Sequence, residues 1–166
     1  MNYLGATLTW KNGRQLASYS KGDLSVSYKY NADGLRTQKK VVENGKTTVY
    51  NYVWNGNRLV YQSWIDSNQE KFIYFIYDKN ENIIGFSYAD GNNYANYYYL
   101  KNEQGDVIGI VDATGNTLAT YTYDVWGAFG GGSGQINISP IRYRGYYFDS
   151  EELSFGGFTK KIGIFY

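Results

Sequence analysis

A turn signal recurs about every eleven residues from Asn12 to Gly127, and this rhythm constrains the chain more than any other feature. One series follows an aromatic or apolar residue: Trp10-Lys-Asn-Gly13, Tyr30-Asn-Ala-Asp-Gly34, Trp54-Asn-Gly56, Tyr77-Asp-Lys-Asn80, Leu100-Lys-Asn-Glu-Gln-Gly105 and Tyr123-Asp-Val-Trp-Gly127. A second series lies between them: Lys21-Gly-Asp23, Glu43-Asn-Gly45, Asp66-Ser-Asn68, Asp90-Gly-Asn92 and Asp112-Ala-Thr-Gly115. Asn, Asp and Gly suit such turns because they accept positive φ at little steric cost. The intervals hold runs of roughly seven or eight residues rich in Val, Ile, Thr and Tyr, the length and composition of β-strands. Each repeat is therefore a hairpin, and the array is an antiparallel β-meander.

Alternation assigns several faces. Val26, Tyr28 and Tyr30 alternate with Ser25, Ser27 and Lys29. Tyr50, Tyr52 and Trp54 share one face, with Asn51 on the other, and Ala119, Tyr121 and Tyr123 oppose Thr120 and Thr122. Two runs break the pattern: 72–77 (FIYFIY) and 107–111 (VIGIV) are apolar at every position apart from one Gly. Strands apolar on both faces need cover on both sides, supplied by a curled sheet, the C-terminal tail or another chain.

The fold class expected is all-β, a meander of hairpin repeats in a strongly curved or spiralling sheet, barrel-like or closed by oligomerisation. Residues 1–128 form the meander, 129–139 a Gly-rich connector (FGGGSG at its start), and 140–166 a further strand and tail of the same domain. Alternation in 140–149 places Ile141, Tyr143, Gly145 and Tyr147 opposite Arg142, Arg144 and Tyr146. Asp149, Glu151 and Glu152 stand near Arg142 and Arg144, which suggests an ion pair docking the tail.

Much chemistry is excluded outright. The 166 residues contain no His and no Cys, so disulfides, thiolate nucleophiles and His-ligated metals cannot form, and the commonest general base is missing. Sixteen basic against fifteen acidic residues give a net charge of +1, with nothing to steer the chain to nucleic acid. No apolar run approaches the roughly 20 residues of a membrane helix, and the first ten residues lack the layout of a signal peptide. No cofactor motif is present: the acids have no calcium-loop spacing, and the Gly run lacks the Lys-Ser/Thr of a phosphate loop. Asp23, Asp33, Asp66, Asp78, Asp90, Asp112 and Asp124 all fall at or beside turns, where bonding to the local backbone is their ordinary role. No catalytic residue or metal ligand is assigned.

The 32 aromatic residues, 20 of them Tyr, leave one candidate surface. Tyr combines an apolar ring with a hydroxyl that needs a partner, so it suits half-buried sheet surface. Such rings pack across strands, and Trp54, Tyr50, Tyr52 and Trp126, beside Asn, Gln and Lys, are also the candidate contacts for a glycan.

Taken in order, these elements resemble the YD-repeat proteins of the RHS (rearrangement hot spot) family. The resemblance rests on Tyr30-Asn-Ala-Asp-Gly-Leu-Arg36, Tyr77-Asp78, and Tyr123-Asp124 with Trp126-Gly127. The most specific part is similar to the RHS core signature: Tyr98-Tyr99-Leu100, Gly105-Asp-Val, Val111-Asp-Ala-Thr-Gly115-Asn, and Pro140-Ile-Arg-Tyr-Arg-Gly-Tyr-Tyr-Phe-Asp149. It covers about residues 8–151. The resemblance implies a strip of antiparallel sheet that spirals, in full-length relatives, into a hollow shell around a C-terminal toxin. Such shells belong to secreted or surface-displayed bacterial polymorphic toxins and to insecticidal toxin complexes. It further implies a non-catalytic structural or interaction role, a secreted or cell-surface location, and partners that are the rest of a shell or further copies joined edge to edge. Carbohydrate is the other partner class suggested for the family. After Glu151 the chain departs from the family pattern, lacking the self-cleavage motif and a toxin, so it reads as a short, fragment-like member with an atypical C-terminus.

Overall fold

The computed structural model describes residues 2–3 and 5–149. The atypical tail, with Glu151 and Glu152, lies outside the described residues. In chain order the strands are β1 (Asn2–Tyr3), β2 (Ala6–Lys11), β3 (Gln15–Lys21), β4 (Leu24–Tyr30), β5 (Arg36–Glu43), β6 (Lys46–Asn55) and β7 (Arg58–Asp66). They continue with β8 (Gln69–Tyr77), β9 (Ile83–Asp90), β10 (Asn93–Lys101), β11 (Val107–Asp112), β12 (Thr117–Tyr123) and β13 (Phe129–Gly134). Strand order follows sequence order in an open series, and every ladder described is antiparallel. Helical structure among the described residues is confined to one 3-10 turn, Tyr143–Gly145. The expected all-β meander is what forms.

The chain divides into two compact units. One holds the described residues up to Tyr74 together with Ala89–Asn93, and the other holds Phe75–Tyr88 and the described residues from Tyr94 onward. The core of the first includes Leu8, Leu16, Tyr19, Leu24, Val26, Tyr28, Val41, Tyr52 and Ile73. That of the second includes Phe75, Phe86, Tyr99, Val107, Ile110, Ala119, Tyr121 and Ile141.

Two turn designs recur along the chain. In the first, two-residue loops join the strands: Glu43 pairs with Lys46 across Asn44-Gly45, and Asp66 with Gln69 across Ser67-Asn68. Both loop residues have positive φ in each case, which matches the right-handed twist of the flanking strands. The second design is a five-residue turn led by Asn or Asp, at residues 31, 78, 102, 112 and 124. In each, the leading residue's N–H donates to the carbonyl four residues on, and the N–H three residues on donates back to its carbonyl. The third-following residue takes positive φ: Gly34, Glu81, Gly105, Gly115 and Gly127. The leading side chain fills the loop. Asp112 Oδ1 accepts from the Thr114 and Asn116 amides at 2.8 and 2.9 Å, and Asp124 Oδ1 from Trp126 and Ala128 at 2.8 Å each. Asp78 and Asn102 do the same.

After five of the aromatic-side turns the outgoing strand carries a bulge. A shift between Thr122 and Tyr123 makes Gly130 the extra residue of β13. In the other four strands, registers shift between Thr9 and Trp10, Lys29 and Tyr30, Val53 and Trp54, and Leu100 and Lys101, so that Ala17, Thr37, Val60 and Ile108 are the extra residues opposite them. The bulge changes which residues face inward. Buried positions fall three apart at the start of these strands: Leu16 and Tyr19, Arg36 and Lys39, Leu59 and Gln62, Val107 and Ile110. Strict alternation does not apply there.

This corrects the expectation of double cover. In 107–111, Val107 and Ile110 are both inside because Ile108 is the extra residue, and Ile108 stays 41% exposed. In 72–77, Ile73 and Phe75 are buried while Tyr74 is 48% exposed. The expected faces of 25–30 and 119–123 are as observed.

Two further expectations are corrected. Residues 129–134 open no loose connector but form β13, paired along β12 from Tyr123↔Phe129 to Ala119↔Gly134. Glycine is required because a Cβ at Gly132 would lie 2.3 Å from the Thr120 carbonyl oxygen, and at Gly134 2.1 Å from that of Leu118. Residues 140–149 are not one strand. Ile141 bridges Tyr147 across the 3-10 turn, and Arg144 within it has φ of 50°.

The acid-led turns carry a pH dependence. Hydrogen bonds from Thr114 and Asn116 bring Asp112 down to about 2 from 3.8, and Lys46 and Lys71 do the same for Asp66. A carboxyl depressed in the folded state stabilises the fold above its unfolded value, and that contribution is lost as pH falls through the folded one. Urea midpoints should therefore be flat above about pH 5 and drop between about pH 4 and 2. Asp112→Asn should keep the Oδ1 acceptor and flatten part of that slope, whereas Asp112→Ala should lower the midpoint at neutral pH. Equal slopes in all three proteins would contradict this account.

Candidate functional site

The bulge and the turn together generate a side-chain site that recurs at the mouths of the β3–β4, β5–β6 and β11–β12 hairpins. The β3–β4 ladder ends at Ser18↔Ser27, leaving Leu16 beyond it. Similarly, β5–β6 ends at Gln38↔Asn51 short of Arg36, and β11–β12 at Gly109↔Thr120 short of Val107. In each case the residue just before the next turn reaches back to the carbonyl past the ladder end. Tyr30 Oη donates to the Leu16 carbonyl at 2.9 Å, Trp54 Nε1 to Arg36 at 2.8 Å and Tyr123 Oη to Val107 at 2.6 Å. Lys101 occupies the equivalent place and donates through Nζ to the Ile83 carbonyl. Burial pushes the Lys101 ammonium below its ordinary value and Asp78 pulls it back up. Burial pushes the Tyr123 phenol well up, so it stays a neutral donor. The Tyr of the Tyr123-Asp124 pair is thus a hook, and its Asp is the turn acceptor.

On the buried face of the first unit the rings alternate with cations. Arg36 lies over the rings of Tyr28 and Tyr52, at 5.3 and 5.1 Å from their centroids, and Lys39 Nζ lies 4.6 Å from the Tyr50 centroid. Each such contact contributes about 0.5–2 kcal/mol. This is where the sequence candidates fall. Tyr52 is buried, Tyr50 is half-buried against Trp64 at 5.8 Å, and Trp54 is a hook. Trp126 belongs to the second unit, where the turn at Asp124 holds it 86% exposed.

The second unit contains a centre that sequence reasoning did not isolate. Arg142 is buried, and its guanidinium donates to the carbonyls of Ser139, Ile141 and Ile136. It stacks on Tyr121 at 4.1 Å and faces Phe148 at 5.7 Å. Tyr99 Oη shares a 2.6 Å hydrogen bond with Ser139 Oγ, and Tyr121 Oη donates to the Ile136 carbonyl at 3.1 Å. Asp106 accepts from the Arg144 amide and from Asn102 Nδ2, tying the last described turn to an earlier one. A planar donor surrounded by carbonyls and ring faces is a setting that Arg fills and Lys does not. Arg142 holds this segment through carbonyls and rings, and Arg144 lies over Tyr143 at 5.4 Å. The signal lay in the Pro140-Ile-Arg142 stretch, but a repeat-based reading has no term for a residue used once.

Chemically, the arrangement binds the chain to itself. Asp78, Asn102, Asp112 and Asp124 are engaged by turn amides, and Asp66 by Lys46 and Lys71 at 3.0 and 3.1 Å. No group of three or more acids capable of holding a metal occurs among the described residues. No helix among them is long and apolar enough to cross a membrane.

Removing single donors tests the hooks. Tyr123→Phe should cost about 1 kcal/mol, since it leaves the Val107 carbonyl unmet while the ring remains. Arg142→Ala should cost about 3 kcal/mol by orphaning three carbonyls and opening a cavity. Urea denaturation gives both values, and amide exchange should show loss of protection concentrated in 136–149 for the Arg142 variant. Variants indistinguishable from the parent would refute the hook assignment.

No family model matches the sequence, and none of the curated proteins does. Solved structures do match. The crystal structure of TcdB2-TccC3-Cdc42 superposes with a TM-score of 0.70 at 17% identity, over 89% of this chain and 8% of that one. That of TcdB2-TccC3-TEV gives 0.71 at 16% identity, over 90% and 8%. The Photorhabdus luminescens Tc holotoxin pore gives 0.69 at 17% identity, again over 90% and 8%. The chain spans about a twelfth of the length of these larger chains, as its 8% share of each shows. Its fold is that of a short stretch of toxin-complex chains, one of the settings that the YD-repeat resemblance names.

Proposed function

We propose that this chain is a non-catalytic wall segment of an RHS-type shell, associated with a secreted or surface-displayed bacterial toxin. The recurring hook carries the reading: in three hairpins it ties the mouth together at the point where the next repeat begins, which suits a wall extended by adding repeats. The likeness to a small portion of much larger toxin-complex chains supports it. So does the use of acids and hydroxyls for internal bonding. Its partners are then the remainder of such a shell, or further copies of itself, added at free strand edges.

Among the described residues, β13 ends the strand series and offers such an edge. Light scattering of the purified chain over a concentration series should show association. Gly130→Lys should weaken it with the fold retained, since a side chain there meets only ordinary contacts with Thr122 and adds an edge charge. A monomer at every concentration, or association indifferent to Gly130→Lys, would count against the proposal.

A second reading, glycan binding, is favoured by one observation: Trp126 is displayed almost wholly to solvent on a fixed turn. Glycan-array binding lost on Trp126→Ala would establish it, and silence across a broad array would remove it.

A further inference from the structure

Tyr61 and Tyr74 stand directly opposite one another on β7 and β8. Their ring centroids are 4.7 Å apart with planes tilted by 45°. Phe72 packs against both, at 6.0 Å from Tyr61 and 5.4 Å edge-on to Tyr74, and so limits their motion. Tyr74 is 48% exposed and Tyr61 beside it is half-buried, so a small oxidant or a surface-acting peroxidase reaches the pair through Tyr74. Tyr123 and Tyr143 are 5.7 Å apart, and the Tyr123 hydroxyl is held by the Val107 carbonyl. Tyr121 is buried under Arg142. The 61–74 rings lie closer together than the 123–143 rings and are also accessible.

We propose that Tyr61 and Tyr74 form an oxidative modification site, joined as an intramolecular dityrosine by hydrogen peroxide and a haem peroxidase. Each phenol loses one hydrogen atom to the oxidant, giving two tyrosyl radicals. Their ortho carbons couple in one new C–C bond. The two ring hydrogens displaced there move as protons to the phenolic oxygens, which restores both aromatic rings and both hydroxyls. Overall the protein loses two hydrogens, and these reduce one peroxide to two waters. The product is a covalent rung across the β7–β8 hairpin, in a chain whose lack of Cys denies it a disulfide. This inference stands independently of the wall-segment reading.

The test treats the full chain with peroxide and peroxidase at low protein concentration, followed by mass spectrometry and peptide mapping. The expected product is a monomer lighter by two hydrogens, with dityrosine fluorescence and a cross-linked peptide pair containing residues 61 and 74. Tyr61→Phe and Tyr74→Phe, which keep the rings, should each abolish that cross-link, and the linked protein should melt at a higher temperature than the untreated one. Unfolding in urea before oxidation should scatter the cross-links over other tyrosines. A map dominated by another pair, cross-links only between chains, no dityrosine at all, or persistence of the 61–74 link in urea would each overturn the proposal.

Discussion

A hairpin that bulges just after its turn leaves a backbone carbonyl beyond the end of the next ladder, and the architecture rests on how that carbonyl is met. A buried carbonyl without a donor costs about 1–3 kcal/mol, so a bulge repeated along a sheet is tolerable only if each is answered. Here the answer comes from the side chain just before the following turn. Tyr30 serves Leu16, Trp54 serves Arg36 and Tyr123 serves Val107, and Lys101, also just before its turn, serves the Ile83 carbonyl. The donor changes identity from phenol to indole to ammonium while the acceptor stays backbone. What is held constant is a long side chain ending in an N–H or O–H.

The same device links local sequence to the core. Because a bulge inserts one residue, inward positions at the strand start are three apart, and the residue between them is turned outward. Ile108 is exposed for this reason, although it lies within a run that reads as continuous core. The cations of the first unit follow the same register, with Arg36 and Lys39 both inside, and ring faces meet their charges. Tyrosine's prominence follows: one residue type supplies the hook, the apolar wall and the π-face.

The last described segment departs from the repeat and is held differently. Arg142 concentrates three carbonyl bonds and two ring faces at one point, and the Asp106 carboxylate fixes the neighbouring turn. Repeats share their stabilisation between neighbours, whereas a segment that occurs once must be anchored by a residue of its own. The fold likeness to toxin-complex chains at 17% identity is consistent with this economy, since the pattern needs donors and acceptors at set places rather than particular residues.

The sequence alone determined the strand class, the turn positions and the antiparallel order, because turn chemistry and β-propensity act within a few residues. It showed the faces of 25–30 and 119–123 for the same reason. It did not show the bulges, since an extra residue is visible only against the partner strand. It misread the glycines of 129–134 as slack, when close approach of the Thr120 and Leu118 carbonyls makes them the residues that fit a strand there. It grouped Trp54 with Trp126 by residue type, whereas one indole is bonded to the Arg36 carbonyl and the other faces solvent. Those distinctions belong to tertiary structure, because hydrogen-bond partners and exposure are set by residues far away along the chain.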